Sequence, residues 1–223
     1  MSRASNLKRV VIGACLLFAG GLLSLPVIAE SPPAADESTP DTAEAPDAVV
    51  QQVATLLDQA IEGRRGELKN DKKALYELID GVLLPRFDRR YAAQLVLARH
   101  WRTASDEQRN QFIDAFYNNM MHLYAEAILE FNLDRLQVFP FRGDATKKRV
   151  TVKTTMRLDD GTKVPVNYAM IKRKAGWQMF DVTIENISYV RNFKAELNSE
   201  IQIEGLDGVI ARLEEKNEDS VAQ

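Results

Sequence analysis

The sequence has little of what enzyme active sites and metal centres are usually built from. Its 223 residues include one cysteine, Cys15, and two histidines, His100 and His122. Thiol catalysis and most zinc sites need more of these side chains. The sequence also lacks a Gly-rich phosphate loop, a Gly-x-Ser-x-Gly turn and a His-Glu-x-x-His pair. This inventory predicts a protein that is not an enzyme and that carries no cofactor and no metal.

Asp181 keeps an enzymatic alternative open. It stands between Phe180 and Val182 in a predicted strand, where a carboxylate is either a hydrogen-bonded structural anchor or a catalytic group. Anchoring is the favoured interpretation. Asp159 and Asp160 are adjacent carboxylates too, but they precede Gly161, a pattern typical of a hairpin turn.

The first 29 residues have the pattern of an export signal. Three basic residues precede an uncharged apolar stretch at residues 10–25, and small or modest side chains follow at residues 27–29. We therefore expect a signal peptide at 1–29 that is cleaved after Ala29. An uncleaved membrane anchor and a lipoprotein modified at Cys15 remain as alternatives. The cleaved chain would have no cysteine, so its stability would depend on core packing alone.

Residues 30–48 form a second region of distinct composition. The stretch is rich in proline and has six acidic residues, no basic residue and no large apolar side chain before residue 49. Such a segment cannot bury enough surface to offset its ordering entropy, which predicts a disordered acidic linker. Beyond it, 26 basic residues balance 26 acidic ones. This balance argues against nucleic-acid binding.

Basic residues gather at two places in the sequence. A solvated surface is the favoured interpretation for each, and a patch that meets anionic headgroups or an acidic partner protein is the alternative. The clusters are Arg86, Arg89, Arg90, Arg99 and Arg102, and Lys147, Lys148 and Arg149.

The apolar pattern changes from helical to strand-like along the chain. A period near 3.6 residues predicts helices, and strict alternation then predicts an antiparallel meander. The sequence thus predicts an α+β fold in which several helices cover a sheet of about four strands. The predicted helices are 49–61, 71–84, 89–101, 105–131 and 189–217, the last broken near Gly205 and Gly208, and the predicted strands are 136–141, 149–158, 164–174 and 177–184.

Two blocks of sequence resemble the MlaC family, also called the toluene-tolerance family. The first is Leu83-Leu84-Pro85 followed by residues 97–105, Gln108-Arg109 and three aromatic residues of the long helix. The second is residues 177–188, similar to a family strand that ends in "YDV-x-IEG-x-S", followed by residues 191–193 as a variant of "NYR". The chain departs from the family at Ala98 and Asn186, where glycine is usual, and at Phe180, where tyrosine is usual.

The resemblance implies a periplasmic phospholipid-binding protein with an NTF2-like sheet, helices over it and acyl chains in an apolar pocket between them. It implies a monomeric carrier that moves phospholipid between an outer-membrane lipoprotein–porin complex and an inner-membrane ABC transporter with an MCE-domain subunit. Such a carrier maintains the lipid asymmetry of the outer membrane. The phospholipid-binding domain would span 49–213, followed by a polar C-terminal tail at 214–223. An NTF2-like small-molecule enzyme and a ligand-free periplasmic adaptor are the alternatives.

On this expectation the wall of the acyl-chain pocket comes from apolar residues of both layers. Flexible and aromatic side chains suit a cavity for ligands of irregular shape. The assignment of the sheet residues depends on strand register, since a shift of one residue moves them to the other face. The predicted wall is Leu95, Phe116, Met120, Tyr124 and Ile128 from the helices, and Val152, Val166, Tyr168, Met170 and Val182 from the sheet.

Overall fold

The computed structural model describes residues 44–222, which form an α+β fold with seven α-helices and one five-stranded antiparallel sheet. The expected signal peptide, and the expected linker as far as residue 43, lie outside the described residues. The helices are α1 (Pro46–Ile61), α2 (Arg65–Asn70), α3 (Lys72–Leu83), α4 (Arg89–Leu97), α5 (His100–Thr103), α6 (Asp106–Leu129) and α7 (Tyr189–Ala222). The strands are β1 (Leu136–Val138), β2 (Arg149–Arg157), β3 (Lys163–Arg173), β4 (Gly176–Ile184) and β5 (Ile187–Ser188).

Side-chain caps fix where three of the helices begin. Asp71 accepts a hydrogen bond from the Ala74 N–H at 2.9 Å, and Asp88 does the same for Tyr91 at 2.9 Å. Ser105 and Gln108 form the reciprocal capping box that their spacing predicts. Each cap satisfies a main-chain donor that has no partner within its own helix.

The strands follow one another across the sheet in chain order, β1-β2-β3-β4-β5. The turn between β2 and β3 is closed by the Leu158 N–H, which donates to Thr162 O at 2.8 Å. Gly161 occupies it with φ 84°, a left-handed conformation that glycine adopts without steric cost. The sheet has five strands instead of about four, because the two residues of β5 pair with the end of β4.

Both ends of the described chain are more helical than the sequence predicts. Helix α1 begins at Pro46, so residues 46–48 of the expected linker are part of it. Proline fits the first turn because its missing N–H needs no partner there. At the other end α7 continues to Ala222, so the expected polar tail from residue 214 is helical. Asn217 is buried there and donates from Nδ2 to Ala115 O at 3.0 Å.

Helix α7 is divided by Gly205, which has φ 77° and ψ 170°. Arg212, beyond this break, forms ion pairs with Glu200 and Glu204, which precede it. Asn198 donates from Nδ2 to Val96 O at 3.1 Å, whereas Asn217 binds α6. The part of α7 before Gly205 is therefore hydrogen-bonded to α4, and the part after it to α6.

The buried side chains form three clusters. The helical cluster lies among α4, α5, α6 and α7; the α3 cluster joins the end of α1 to α2, α3 and α6; the sheet cluster joins α1 to β2, β3 and β4. Principal members are Val96, Phe112, Phe116, Phe193 and Val209 in the first, Ile61, Leu68, Leu75, Ile79 and Tyr117 in the second, and Val49, Val50, Val53, Val152, Met170, Trp177 and Met179 in the third.

Candidate ligand-binding interior

The sheet presents an apolar face to α1. Val152 pairs with Tyr168, and Tyr168 pairs with Val182 on its other side. Residues directly opposite in antiparallel strands share a face, and so do alternate residues of one strand. Val166 and Met170, two residues either side of Tyr168, therefore lie on this face too. All five sheet residues of the predicted wall share the face against which α1 packs.

This face is only partly filled by protein. Val152 and Met170 are buried in the sheet cluster, 1% and 0% exposed. Val166, Tyr168 and Val182 are half-buried. Protein interiors are normally close-packed, so large apolar side chains on a covered face should lose nearly all their exposure. The β3–β4 part of the face thus retains apolar surface that α1 does not cover.

Tyr168 lies deep in the protein although part of its surface is accessible. Burial alone raises the pKa of Tyr168 to about 12. A phenol at the outer surface of a protein would keep a pKa near 10. The Tyr168 ring therefore lies largely among protein atoms, although the side chain is only half-buried.

The helical residues of the predicted wall separate into two groups. Phe116 is 2% exposed and stacks on Phe112 with ring centroids 5.5 Å apart. It also meets Phe193 edge-on at 5.2 Å. Leu95, Met120 and Tyr124 are half-buried against the same helical cluster, whereas Ile128 packs against the α3 cluster. The structure therefore does not bring these five residues into the sheet cluster.

Phe87 is the residue that links the three clusters. It is half-buried and packs against all of them, and its ring centroid lies 6.3 Å from that of Tyr117. Val82 and Leu83 are also half-buried, against the α3 and sheet clusters. The Asp88 N–H donates to Met179 O at 2.8 Å and ties this segment to β4.

The sequence-based wall did not include these three residues. The apolar run at residues 82–84 before Pro85 was visible, but it reads equally well as the end of an ordinary core-facing helix. Only the tertiary arrangement shows that Val82 and Leu83 pack between the α3 and sheet clusters.

Asp181, His100 and His122 each make contacts with neighbouring side chains of the fold. Asp181 accepts hydrogen bonds from the Ser188 hydroxyl at 2.5 Å and from the Val190 N–H at 3.0 Å. Arg99 donates from Nε to His100 Nε2 at 3.3 Å. Burial is the main cause that lowers the pKa of His122, whose ring lies 4.5 Å from that of Tyr76.

A further polar contact joins α6 to α3. The Tyr117 hydroxyl donates to Asp80 Oδ1 at 2.8 Å, and the Arg89 guanidinium lies over the Tyr117 ring at 5.1 Å. Burial, reinforced by this hydrogen bond and by the Asp80 charge, raises the pKa of Tyr117 far above its usual range. A polar group next to the apolar interior is thereby kept neutral and satisfied.

Residues 44–222 contain neither a cluster of potential metal ligands nor an apolar helix of membrane-spanning length. No group of three or more His, Cys, Asp or Glu side chains in this range could hold a metal ion. No helix in the same range is both long enough and apolar enough to cross a membrane.

The fold and the interior define a single-sheet α+β protein whose meander has an apolar, helix-covered face. Residues 51–215 match the family model described as "MlaC protein". The chain therefore belongs to the MlaC family.

Two curated relatives cover most of the chain. The toluene tolerance protein Ttg2D of Pseudomonas putida is 25% identical over 166 residues, which are 74% of this chain and 77% of that protein. The intermembrane phospholipid transport system binding protein MlaC of Haemophilus influenzae is 22% identical over 177 residues, 76% of this chain and 81% of the relative.

A solved structure has the same fold. The phospholipid-binding protein from Ralstonia solanacearum, determined in complex with a phospholipid, superposes with a TM-score of 0.71 at 24% identity. The match covers 78% of this chain and 97% of that one.

Proposed function

We propose that this protein is a phospholipid carrier that holds acyl chains against the α1-covered face of the sheet. The observation that carries the proposal is the half-buried surface of Val166, Tyr168 and Val182 on the same sheet face as Val152 and Met170, which are buried beside α1. Family membership supports it, as do the names of the relatives, one of them a binding protein for intermembrane phospholipid transport.

The energetics favour a carrier that is not a catalyst. Each methylene removed from water contributes about 0.8 kcal/mol, so acyl chains give a large transfer free energy. A bilayer also shields the acyl chains from water, however. The free energy of transfer from bilayer to protein is therefore much smaller than that from water to protein. Lipid should therefore leave at a docked partner that changes the affinity of the interior. Both Asp181 oxygens are occupied by structural hydrogen bonds, which weighs against the enzymatic alternative.

The proposal extends to the setting in which the carrier works. We infer a signal peptide at 1–29, an acidic linker from residue 30 to the start of α1, and a periplasmic domain. The partners are an inner-membrane ABC transporter with an MCE-domain subunit and an outer-membrane lipoprotein–porin complex. Exchange between them would maintain the lipid asymmetry of the outer membrane.

The test is native mass spectrometry of protein purified from the periplasm without detergent, comparing wild type with Val166→Glu. The wild type should carry stoichiometric phospholipid, and Val166→Glu should lose it because a carboxylate on the apolar face is costly to desolvate. Thr151→Glu is the matched control, since Thr151 is exposed on β2 and faces the other way. It should keep its lipid. An empty wild type, or equal lipid in both variants, would refute the proposal.

A further inference from the structure

An open groove of about 1120 Å³ lies between α4 and the first part of α7. It is on the outside of the helical cluster and is separate from the sheet face proposed to hold acyl chains. Leu95, Ala98 and Ala195 contribute apolar surface to it, and Trp101 stands in its lining. Leu95, expected in the pocket wall, thus lines this groove.

The groove is lined by four cations. Arg99, Arg102, Arg191 and Lys194 are all exposed, and no carboxylate lines the groove with them. None of the four forms an ion pair with an acidic residue in the range 44–222. Nearby arginines differ, since Arg89 pairs with Asp114 and Arg173 with Asp88. Within residues 44–222, therefore, no acidic side chain neutralises the positive charge of the groove.

One residue of the second basic cluster, Arg149, contacts the lining of the groove. Tyr91 lines the groove, and its hydroxyl accepts a hydrogen bond from Arg149 Nη1 at 3.2 Å. The Arg173 guanidinium lies over the Tyr91 ring at 5.3 Å. Arg149 and Arg173 thus contact one lining residue of the groove without lining it themselves.

The groove is held in a fixed shape. Asn198 Nδ2 donates to Val96 O at 3.1 Å and to Lys194 O at 2.6 Å, so it ties α7 to the end of α4. Ala98, which follows α4, has φ 50° and ψ −110°. A non-glycine residue in this region is strained, and such strain concentrates at functional sites. A preformed groove reduces the ordering cost of binding.

We propose that this groove is a docking site for an acidic, protruding element of a partner protein. Its concave shape admits a helix or loop, whereas a flat bilayer surface would meet only the rim. Apolar surface inside a charged rim is the usual anatomy of a protein interface. The unpaired cations supply the charge complementarity that steers association. The inference rests on the proposed carrier function, because a carrier must dock to exchange its lipid.

The test compares two charge-reversed double variants. Arg191→Glu/Lys194→Glu changes two groove cations near the start of α7, where acidic side chains suit the helix dipole and should not harm folding. Lys153→Glu/Lys163→Glu makes the same charge change at two exposed lysines of the sheet. The probes are the purified ABC transporter complex with its MCE-domain subunit, the purified lipoprotein–porin complex, and phosphatidylglycerol vesicles. Affinities are measured at low and at high salt, and lipid content is measured by native mass spectrometry.

The groove variant should bind at least one protein complex about tenfold more weakly at low salt, with a smaller difference at high salt. Its lipid content should equal that of the wild type, and the sheet variant should bind normally. Equal binding by both variants to both complexes would overturn the proposal. Loss of vesicle binding alone would assign the groove to the membrane, and loss of bound lipid would assign it to the ligand. A wild type that docks but carries no lipid would contradict the carrier function and leave the docking site standing.

Discussion

The Ser188 hydroxyl donates a hydrogen bond to Asp181 Oδ2 at 2.5 Å and itself accepts one from the Arg191 N–H at 3.1 Å. Asp181 also accepts from the Val190 N–H. The carboxylate and the hydroxyl together satisfy main-chain donors at the start of α7. We expect Asp181→Ala to lower the free energy of unfolding by about 1–3 kcal/mol, because capping groups are lost. Urea denaturation gives this value.

The conservative variant separates anchoring from catalysis. Asp181→Asn keeps an oxygen for the Val190 N–H and should be milder than Asp181→Ala. Both variants, once folded, should carry as much phospholipid as the wild type. A large loss of bound lipid at unchanged stability would contradict a purely structural role for Asp181.

Replacing Ala98 with glycine should stabilise the folded protein. Its φ of 50° with ψ −110° is strained for a residue with a Cβ, and glycine adopts it freely. After allowance for the extra freedom of glycine in the unfolded chain, Ala98→Gly should raise the free energy of unfolding by about 1 kcal/mol. The measurement is the denaturation midpoint at constant m-value. Ala195→Gly, in the exposed helical part of the same groove, should instead be destabilising by about 1 kcal/mol. Equal losses at both positions would contradict the strain.

Gly205 should tolerate alanine poorly. Its φ of 77° with ψ 170° belongs to a region that is essentially restricted to glycine. Gly205→Ala should therefore cost about 1–3 kcal/mol. Gly81→Ala is the opposite case, because Gly81 is helical and its added Cβ would meet nothing within 4 Å. It should stabilise α3 by about 0.5–1 kcal/mol. Thermal unfolding of both variants checks the difference in sign.

His122 should make stability depend on pH. Its pKa is lowered from 6.5, chiefly by burial and also by Lys72, while Asn217 and Asp80 act in the opposite direction. The folded state therefore resists protonation that the unfolded state accepts. Stability is complete above about pH 6.5 and declines as the pH falls below it.

The control for this titration is His122→Phe, which keeps a ring against Tyr76 and removes the buried, unpaired Nδ1. Between about pH 7 and pH 5, the melting temperature of the wild type should fall further than that of the variant. Parallel profiles for the two proteins would assign the acid sensitivity to other groups.

Local chemistry made much of the fold predictable. The Ser105–Gln108 capping box, the turn before Gly161 and the α+β fold class are confirmed. The short helix α2 was not predicted, because Gly63 and Gly66 indicate a loosened helix end more than a new helix. The prediction also missed the break at Ala98, where the sequence gives no glycine signal. Asn186, the other departure from the family glycine, likewise has a positive φ of 68°. Where a residue other than glycine occupies such a position, the sequence pattern does not predict the positive φ.

The candidate site was accessible to prediction only where geometry is regular. Strict alternation fixes which residues of a strand share a face, so the grouping of Val166, Tyr168 and Met170 follows from the sequence. Placing Val152 and Val182 beside them depends on the strand register, which only the structure supplies. The sides of α6 are harder to assign, because its apolar residues surround most of its circumference. Phe116 meets α7, Tyr117 meets α3, and no period distinguishes them. Phe87 acquires its position from three elements at once, which a linear pattern cannot encode.

The division of the core into three clusters that share Phe87 has a consequence for motion. Apolar side chains slide past one another without losing directional bonds, whereas strand ladders and helical turns are kept by hydrogen bonds within each layer. Separation of the layers would therefore leave amide protons of β2, β3 and β4 protected from exchange. The tie between Asp88 and Met179 would stay in place as a hinge. Widening of the molecule between its clusters would therefore cost less free energy than unfolding, because the hydrogen bonds of the sheet and helices are kept.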